Sequence, residues 1–289
     1  MIQDIYPHKL HNEYIPDLIA SNEDFLLIVK GNDVLVKADD SQLSIPKLKD
    51  FIEKNPDFNY SAESENNDSK IVFAFKIDEE KFYLLRQGNL DYPKDYEFRN
   101  VRQLRDNVNY PKKYMLALFT AKHLNDWYGD NVFCPRCGRK MHHSDKERAM
   151  CCDECKFTSY PRIMPAVIVG VKNGDKILLT KYRRGFAQNA LIAGFIEIGE
   201  TAEEAVAREV MEEAGIKVKN ITYYKSQPWG IANDLLLGYY CELDGDSTIV
   251  MDENELKEAV WTSREDVILQ SSDLSLTNEM MKKFKDGEV

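Results

Sequence analysis

Apolar positions along this chain follow two periods. Up to about residue 130 the apolar runs are short and strand-like: FLLIVK, DVLVKA, KIVFAFKI and KFYLLRQ, rich in β-branched and aromatic residues and divided by polar turns. SAESENNDSK, at 61–70, has little to bury and reads as a loop or hairpin tip. From Tyr110 to Trp127 the period changes. Tyr114, Leu118, Ala121 and Leu124 recur at helical spacing, and Pro111, lacking an N–H, suits a first helical turn. The pattern predicts a mostly β domain over 1–130 closed by a helix, a scaffold or dimer surface on which no chemistry stands out.

Beyond residue 160 strands and helices alternate. PAVIVGV and KILLTKY read as strands joined by a hairpin turn at Asn173-Gly174, and ITYYKSQPW and LLLGYYCEL as further strands. Helices are too few and too unevenly placed for a repeated βαβ series, so a mixed sheet between helices is expected over 161–289. Between the two regions, 131–160 is a compact insert rich in Cys, Gly and charge.

Composition narrows the function. The 289 residues are 43% hydrophobic, enough for ordinary cores, and carry a formal net charge of -11. That balance disfavours nonspecific attachment to nucleic acid backbones. No apolar run reaches the roughly 18 residues that span a bilayer, and the polar start MIQDIYPHKLHNEY is unlike a signal peptide. A soluble cytoplasmic protein is the expectation.

Five of the six cysteines lie between Cys134 and Cys155. Cys134-Pro-Arg-Cys137 and Cys152-Asp-Glu-Cys155 are two C-x-x-C turns, each aiming two thiolates at one centre. Four soft ligands in a tetrahedron suit structural Zn²⁺, and a closed four-thiolate site leaves no open position for catalysis. Cys151 reads as a packing residue, and His142 and His143 as solvated loop histidines.

The densest chemistry lies at 194–216. Thr201 with Glu204 three residues on is a capping box, so a helix begins near Ala202, and Gly215 suits the position after its end. At about 100° per residue, Glu209, Glu212 and Glu213 share one stripe, with Val206 and Val210 at its inward edge. Such carboxylates repel one another, and Arg208 offsets part of this. With Glu200 and a Gly-rich turn beside them, they form a set suited to hard divalent cations that bridge to phosphate.

These residues carry a resemblance. Gly194, Glu200, Arg208, Glu209, Val210, Glu212, Glu213, Gly215 and Ile216 match the constrained positions of the Nudix box. The resemblance implies an α/β/α sandwich around a mixed sheet, Mg²⁺ or Mn²⁺ held by Glu209, Glu212 and Glu213, and hydrolysis of a nucleoside diphosphate linked to another group. Glu213 or a neighbouring glutamate would orient or deprotonate the water, and Arg208 would hold the glutamates by ion pairing. The order of β-rich domain, zinc ribbon and Nudix domain is similar to the NAD(H) pyrophosphatases. In that branch, Tyr160, Phe195, Ser226, Gln227, Trp229 and Thr277 would contact substrate, Glu255 would add a metal ligand, and a homodimer is usual. Where that branch continues Ser226-Gln-Pro-Trp229 with Pro-Phe-Pro-x-Ser, this chain has Gly230-Ile-Ala-Asn-Asp234, which reads as a flexible stretch adding a negative charge. NADH cleaved to NMNH and AMP is the leading expectation. ADP-ribose, FAD or NAD-capped RNA are the alternatives, as is a non-catalytic nucleotide-binding regulator.

Overall fold

A computed structural model describes residues 1–16, 18–52, 54–56, 71–86, 90–183 and 188–289. The expected loop at 61–70 lies outside the described residues. The chain divides into two compact units. One holds Met1–Ile2, Ile163–Trp229 and Asp234–Val289; the other holds Gln3–Arg162 and Gly230–Asn233.

The first unit is a six-stranded mixed sheet between two helices. Its elements are β1 (Met164–Asn173), β2 (Lys176–Tyr182), β3 (Ile192–Phe195), α1 (Ala202–Ala214), β4 (Val218–Trp229), β5 (Asp234–Leu243), β6 (Leu256–Ser263) and α2 (Leu276–Lys285). The sheet order is β4-β5-β1-β2-β6, with β3 also paired to β1. β1 runs parallel to β5, in register from Met164↔Asp234 to Lys172↔Glu242; the other pairings are antiparallel.

β1 is apolar without alternation because both of its faces are covered. Val167, Val169 and Val171 pack against Ala205, Val206, Val210 and Ala214 of α1. Ala166 and Ile168 point the other way, into a core with Leu276, Met280, Met281 and Phe284 of α2. The result is the α/β/α sandwich expected from the sequence. The β1–β2 turn falls one residue later than expected, on Gly174-Asp175, since Asn173 still pairs with Lys176. β2 then leaves β1, and β3 enters between them, pairing with β1 at 166–169 and reached from β2 by the Thr180↔Ala190 bridge.

The second unit contains two small four-stranded sheets. One is built on Ile71–Ile77 and Glu80–Leu85, the other on Asp33–Ala38 and Glu97–Asn100. The predicted helix runs Lys112–Asp130, with Pro111 as its N-cap rather than inside the first turn. The cysteine-rich segment folds as three two-residue strands, His142–His143, Met150–Cys151 and Thr158–Ser159. It joins the sheets through Tyr14 Oη donating to the Ser144 carbonyl and Arg148 donating to that of Ala74. Among the described residues no helix is long and apolar enough to cross a membrane.

Candidate active site

α1 begins as the sequence dictates. The Thr201 side chain accepts from the Glu204 N–H, the Glu204 carboxylate accepts from that of Thr201, and Gly215 ends the helix at φ +68°. The apolar stripe of α1 is buried against the sheet, so the Arg208, Glu209 and Glu212 side of the helix turns toward the end of β3.

Arg208 organises this face. Its Nε and Nη2 donate to the two oxygens of Glu200 at 2.8 Å each, its Nη1 to Glu209 at 2.7 Å and Glu212 at 3.1 Å, and its Nη2 to the Phe195 carbonyl at 2.9 Å. This bidentate fork holds the Glu200 carboxyl down to about 2. Glu209 is treated differently: burial pushes its carboxyl up, against the pull of Arg208. Glu213 is 2% exposed. Burial first, and the charges of Glu209 and Glu255 after it, push it up to about 8 against a hydrogen bond from the Ala193 N–H. Glu255 stands just before β6, and its charge reaches both Glu209 and Glu213.

Gly194 explains itself by distance. A Cβ there would stand 2.0–2.2 Å from the carboxylate of Glu209. Only a residue without a side chain lets β3 pass so close to α1. Gly194→Ala is therefore expected to push Glu209 out of the Arg208 fork while leaving the sandwich folded, because a flexible side chain yields before backbone does. A drop of about tenfold or more in kcat, with unchanged far-ultraviolet circular dichroism, is the expected reading. Activity at the parent level would refute it.

One residue that the sequence reading missed sits here. Tyr182, at the end of β2, places its hydroxyl 3.4 Å from both oxygens of Glu213 and 3.5 Å from the Leu191 carbonyl. Its phenol is pushed up by burial and by Glu213. An aromatic ending an apolar strand carries no sequence mark distinguishing it from a core residue.

The remaining residues singled out in the sequence are placed as follows. Phe195 ends β3 and is 49% exposed. Ser226, Gln227 and Trp229 lie on β4. Gln227 is wholly buried; its Nε2 donates to the Leu274 carbonyl and its Oε1 accepts from the Leu276 N–H, both at 2.7 Å. That bridge ties β4 to the start of α2, where Ser275 caps the helix and Thr277 is half-buried. Trp229 packs partly buried against the core formed with Leu276 and Met280. Tyr160 belongs to the other unit, exposed, its hydroxyl donating to Glu147 at 2.9 Å.

The stretch after Trp229 departs from the sequence reading. Gly230–Asn233 belong to the second unit, and a Cβ on Gly230 would stand 2.0 Å from the Phe119 carbonyl oxygen and 2.6 Å from its carbon. Ile231 is 3% exposed, and Asn233 Nδ2 donates to Asp126 at 3.2 Å. Gly230 thus answers a close approach of helix backbone rather than a need for flexibility. Gly230→Ala or Gly230→Pro is expected to cost about 1–3 kcal/mol, read as a lowered urea midpoint. An unchanged midpoint would show that the helix yields freely.

In the ribbon, Cys134 and Cys155 Sγ are 3.5 Å apart, Cys137 and Cys152 3.4 Å, and all four lie within 4.8 Å of one another. Tetrahedral thiolates around Zn²⁺ stand about 3.8 Å apart, so the set fits that ion. Desolvation pushes the Cys134 thiol up, but the backbone N–H groups of Arg136 and Cys137 together with the Cys155 and Cys137 thiols hold it down to about 7. Among the described residues this is the one group of three or more His, Cys, Asp and Glu gathered that tightly. The glutamates of α1 are spread along Arg208 instead. His143 is not a solvated loop residue: it lies on a strand with its ring 5.0 Å from that of Tyr128, and burial pushes it down to about 4.

A family model described as the NUDIX domain matches residues 162–284. Over that stretch the chain is similar to the Nudix hydrolases. It is also 45% identical, over 147 residues, to proteins of Salmonella heidelberg and Salmonella typhi named NAD-capped RNA hydrolase NudC. The match covers 50% of this chain and 57% of each relative, so the chain spans little more than half the length of the curated relatives it matches. A solved NUDIX hydrolase from Nitrosomonas europaea is 19% identical with a TM-score of 0.48, covering 54% of this chain and 92% of that one.

Proposed function

We propose that the chain is a divalent-metal-dependent pyrophosphatase that cleaves NAD(H) to NMN(H) and AMP, acting in the cytoplasm as a homodimer, with Zn²⁺ as a structural ion in its ribbon. The observation that carries this reading is the arrangement around Arg208: one guanidinium braces Glu200, Glu209 and Glu212, with Glu213 buried behind them. Glu209, Glu212, Glu213 and Glu255 would hold Mg²⁺ or Mn²⁺. When bound, the ion neutralises phosphate charge and lowers the pKa of water.

The chain's own residues do the rest. Arg208 fixes Glu209 and Glu212, so little reorganisation is needed on binding. A water oxygen bonds to one phosphorus, the bridging P–O bond breaks, and the proton of the water passes to a site carboxylate, a role we give to Glu213. Phe195 offers an exposed ring on which the nicotinamide nucleotide stacks. Gln227, spent on Leu274 and Leu276, positions Ser226, Trp229 and Thr277 for the dinucleotide.

A second reading rests on the name shared by the relatives. NAD at the 5′ end of RNA presents the same diphosphate, and NAD-capped RNA is the second substrate proposed. One experiment covers both readings: incubation of NADH, NAD⁺, ADP-ribose, FAD and NAD-capped RNA with Mg²⁺ or Mn²⁺, followed by nucleotide chromatography, with Glu213→Gln as the control. NMN(H) and AMP from NAD(H), absent in the control, are expected. All five substrates unchanged alongside tight nucleotide binding would assign the domain to regulation instead. Faster turnover of ADP-ribose or FAD would move the substrate.

A further inference from the structure

In the second unit, three nitrogen-bearing side chains gather on one aromatic ring with no acid among them. The Arg86 guanidinium lies 4.7 Å from the centre of the Tyr128 ring, and the His143 ring lies 5.0 Å from it. Arg148 comes from the same ribbon hairpin as His143. Its Nη2 donates to the Ala74 carbonyl at 2.6 Å and to Asn12 at 3.3 Å, and its charge acts on the Tyr128 phenol. Arg148 Nη1 and His143 Nδ1 are nevertheless buried with no hydrogen-bond partner.

The charges bearing on this place are of one sign: Arg148 and Arg86 act on Tyr128, Arg86 and His142 on His143. Among the described residues no carboxylate forms an ion pair with Arg86 or Arg148. Burying a guanidinium without a counter-charge is costly, as is leaving a buried donor unmade.

We propose that Arg86, Arg148 and His143 form a binding site for a phosphate group, seated beside Tyr128 and separate from the Nudix carboxylates. Two guanidiniums supply the planar donor forks that match phosphate oxygens. Arg148 Nη1 and His143 Nδ1 are the donors left over for it, and a dianion balances the two positive charges. Arg86, His143 and Arg148 are each only part-buried, which leaves an approach from solvent. In the anion-free state burial and Arg86 keep His143 neutral, and an arriving dianion reverses that bias.

The test is calorimetric titration of the zinc-loaded full chain, without added Mg²⁺ or Mn²⁺. Inorganic phosphate is compared with sodium chloride at equal ionic strength, and with glycerol 2-phosphate as a monoester lacking a base. Saturable binding of one phosphate per chain is expected. Arg86→Gln and Arg148→Gln should each weaken it at least tenfold, and Glu209→Gln should leave it within twofold. If either arginine variant does not fold, His143→Phe takes its place with the same expectation. Without phosphate, Arg86→Gln should melt no lower than the parent, because it removes charge that nothing balances, whereas Arg148→Gln also loses the bonds to Ala74 and Asn12. Glycerol 2-phosphate binding more tightly than inorganic phosphate would assign a phosphate monoester as the occupant; the reverse order would assign the free ion. No saturable binding of either, binding unchanged in the arginine variants, or a lower phosphate-free melting temperature in Arg86→Gln would overturn the site.

Discussion

Glu213→Gln is expected to lower NADH turnover by about 10³-fold, the size of effect produced by removing a positioned general base, and at the same time to stabilise the metal-free chain. Glu213 is 2% exposed, and its folded carboxyl lies at about 8 against an ordinary 4.5. Between those values the folded state holds more protons than the unfolded state, so stability falls as pH rises from 4.5 to about 8 and levels off above. Glutamine keeps the shape and removes the charge. At pH 8 without metal, the melting temperature should rise by about 3 °C or more, and at pH 4 the difference should vanish. A divalent cation reverses the balance, since it favours the ionised carboxylate, so metal affinity should increase as pH approaches 8. Calorimetric melting at the two pH values, beside a chromatographic assay, reads both effects. Full activity in the variant removes Glu213 from the mechanism; a lower melting temperature at pH 8 removes the account of its burial.

The second large effect belongs to the ribbon. Cys152→Ser, or withdrawal of Zn²⁺ by a strong chelator, is expected to unfold the segment between Phe133 and Tyr160, because structural zinc supplies on the order of 10 kcal/mol of folding free energy in such modules. The three strands there are two residues each, too short to persist unaided. The loss should spread, since Tyr14 and Arg148 fasten the ribbon to the N-terminal sheets. Elemental analysis should give one zinc per chain in the parent and well below one in the variant. Limited proteolysis should cut the variant first within the ribbon. A variant that keeps its zinc, or resists the protease as the parent does, would contradict a four-thiolate structural site.

Features read directly from the sequence were those with a local cause. The Thr201–Glu204 capping box, the end of α1 at Gly215 and the two C-x-x-C turns each depend on residues a few positions apart, and the period of the apolar residues set the strands. The doubly covered β1 was readable as an unbroken apolar run. What escaped depends on partners far along the chain. Tyr182 meets Glu213 only because β3 enters between β1 and β2. Gly230 looked like a loosened turn, yet it is required by the carbonyl of Phe119, more than a hundred positions away. Gln227 read as a substrate contact from its motif alone, whereas both ends of its amide are bonded to backbone. The cluster at Arg86, His143 and Arg148 comes from separate segments and carries no spacing that a sequence could display.

The parallel register of β1 against β5 also has a meaning in time. Met164 faces Asp234, and Lys172 faces Glu242, so each pair closes a loop of 70 residues. During synthesis, β1, β3 and α1 leave the ribosome well before β5, and until then one long edge of the apolar β1 lies bare. Long-range parallel pairing is slow to form, and open edges of this kind are where nascent chains associate wrongly. The carboxylates of α1 therefore exist as a line of residues long before β5 completes the sheet that carries them.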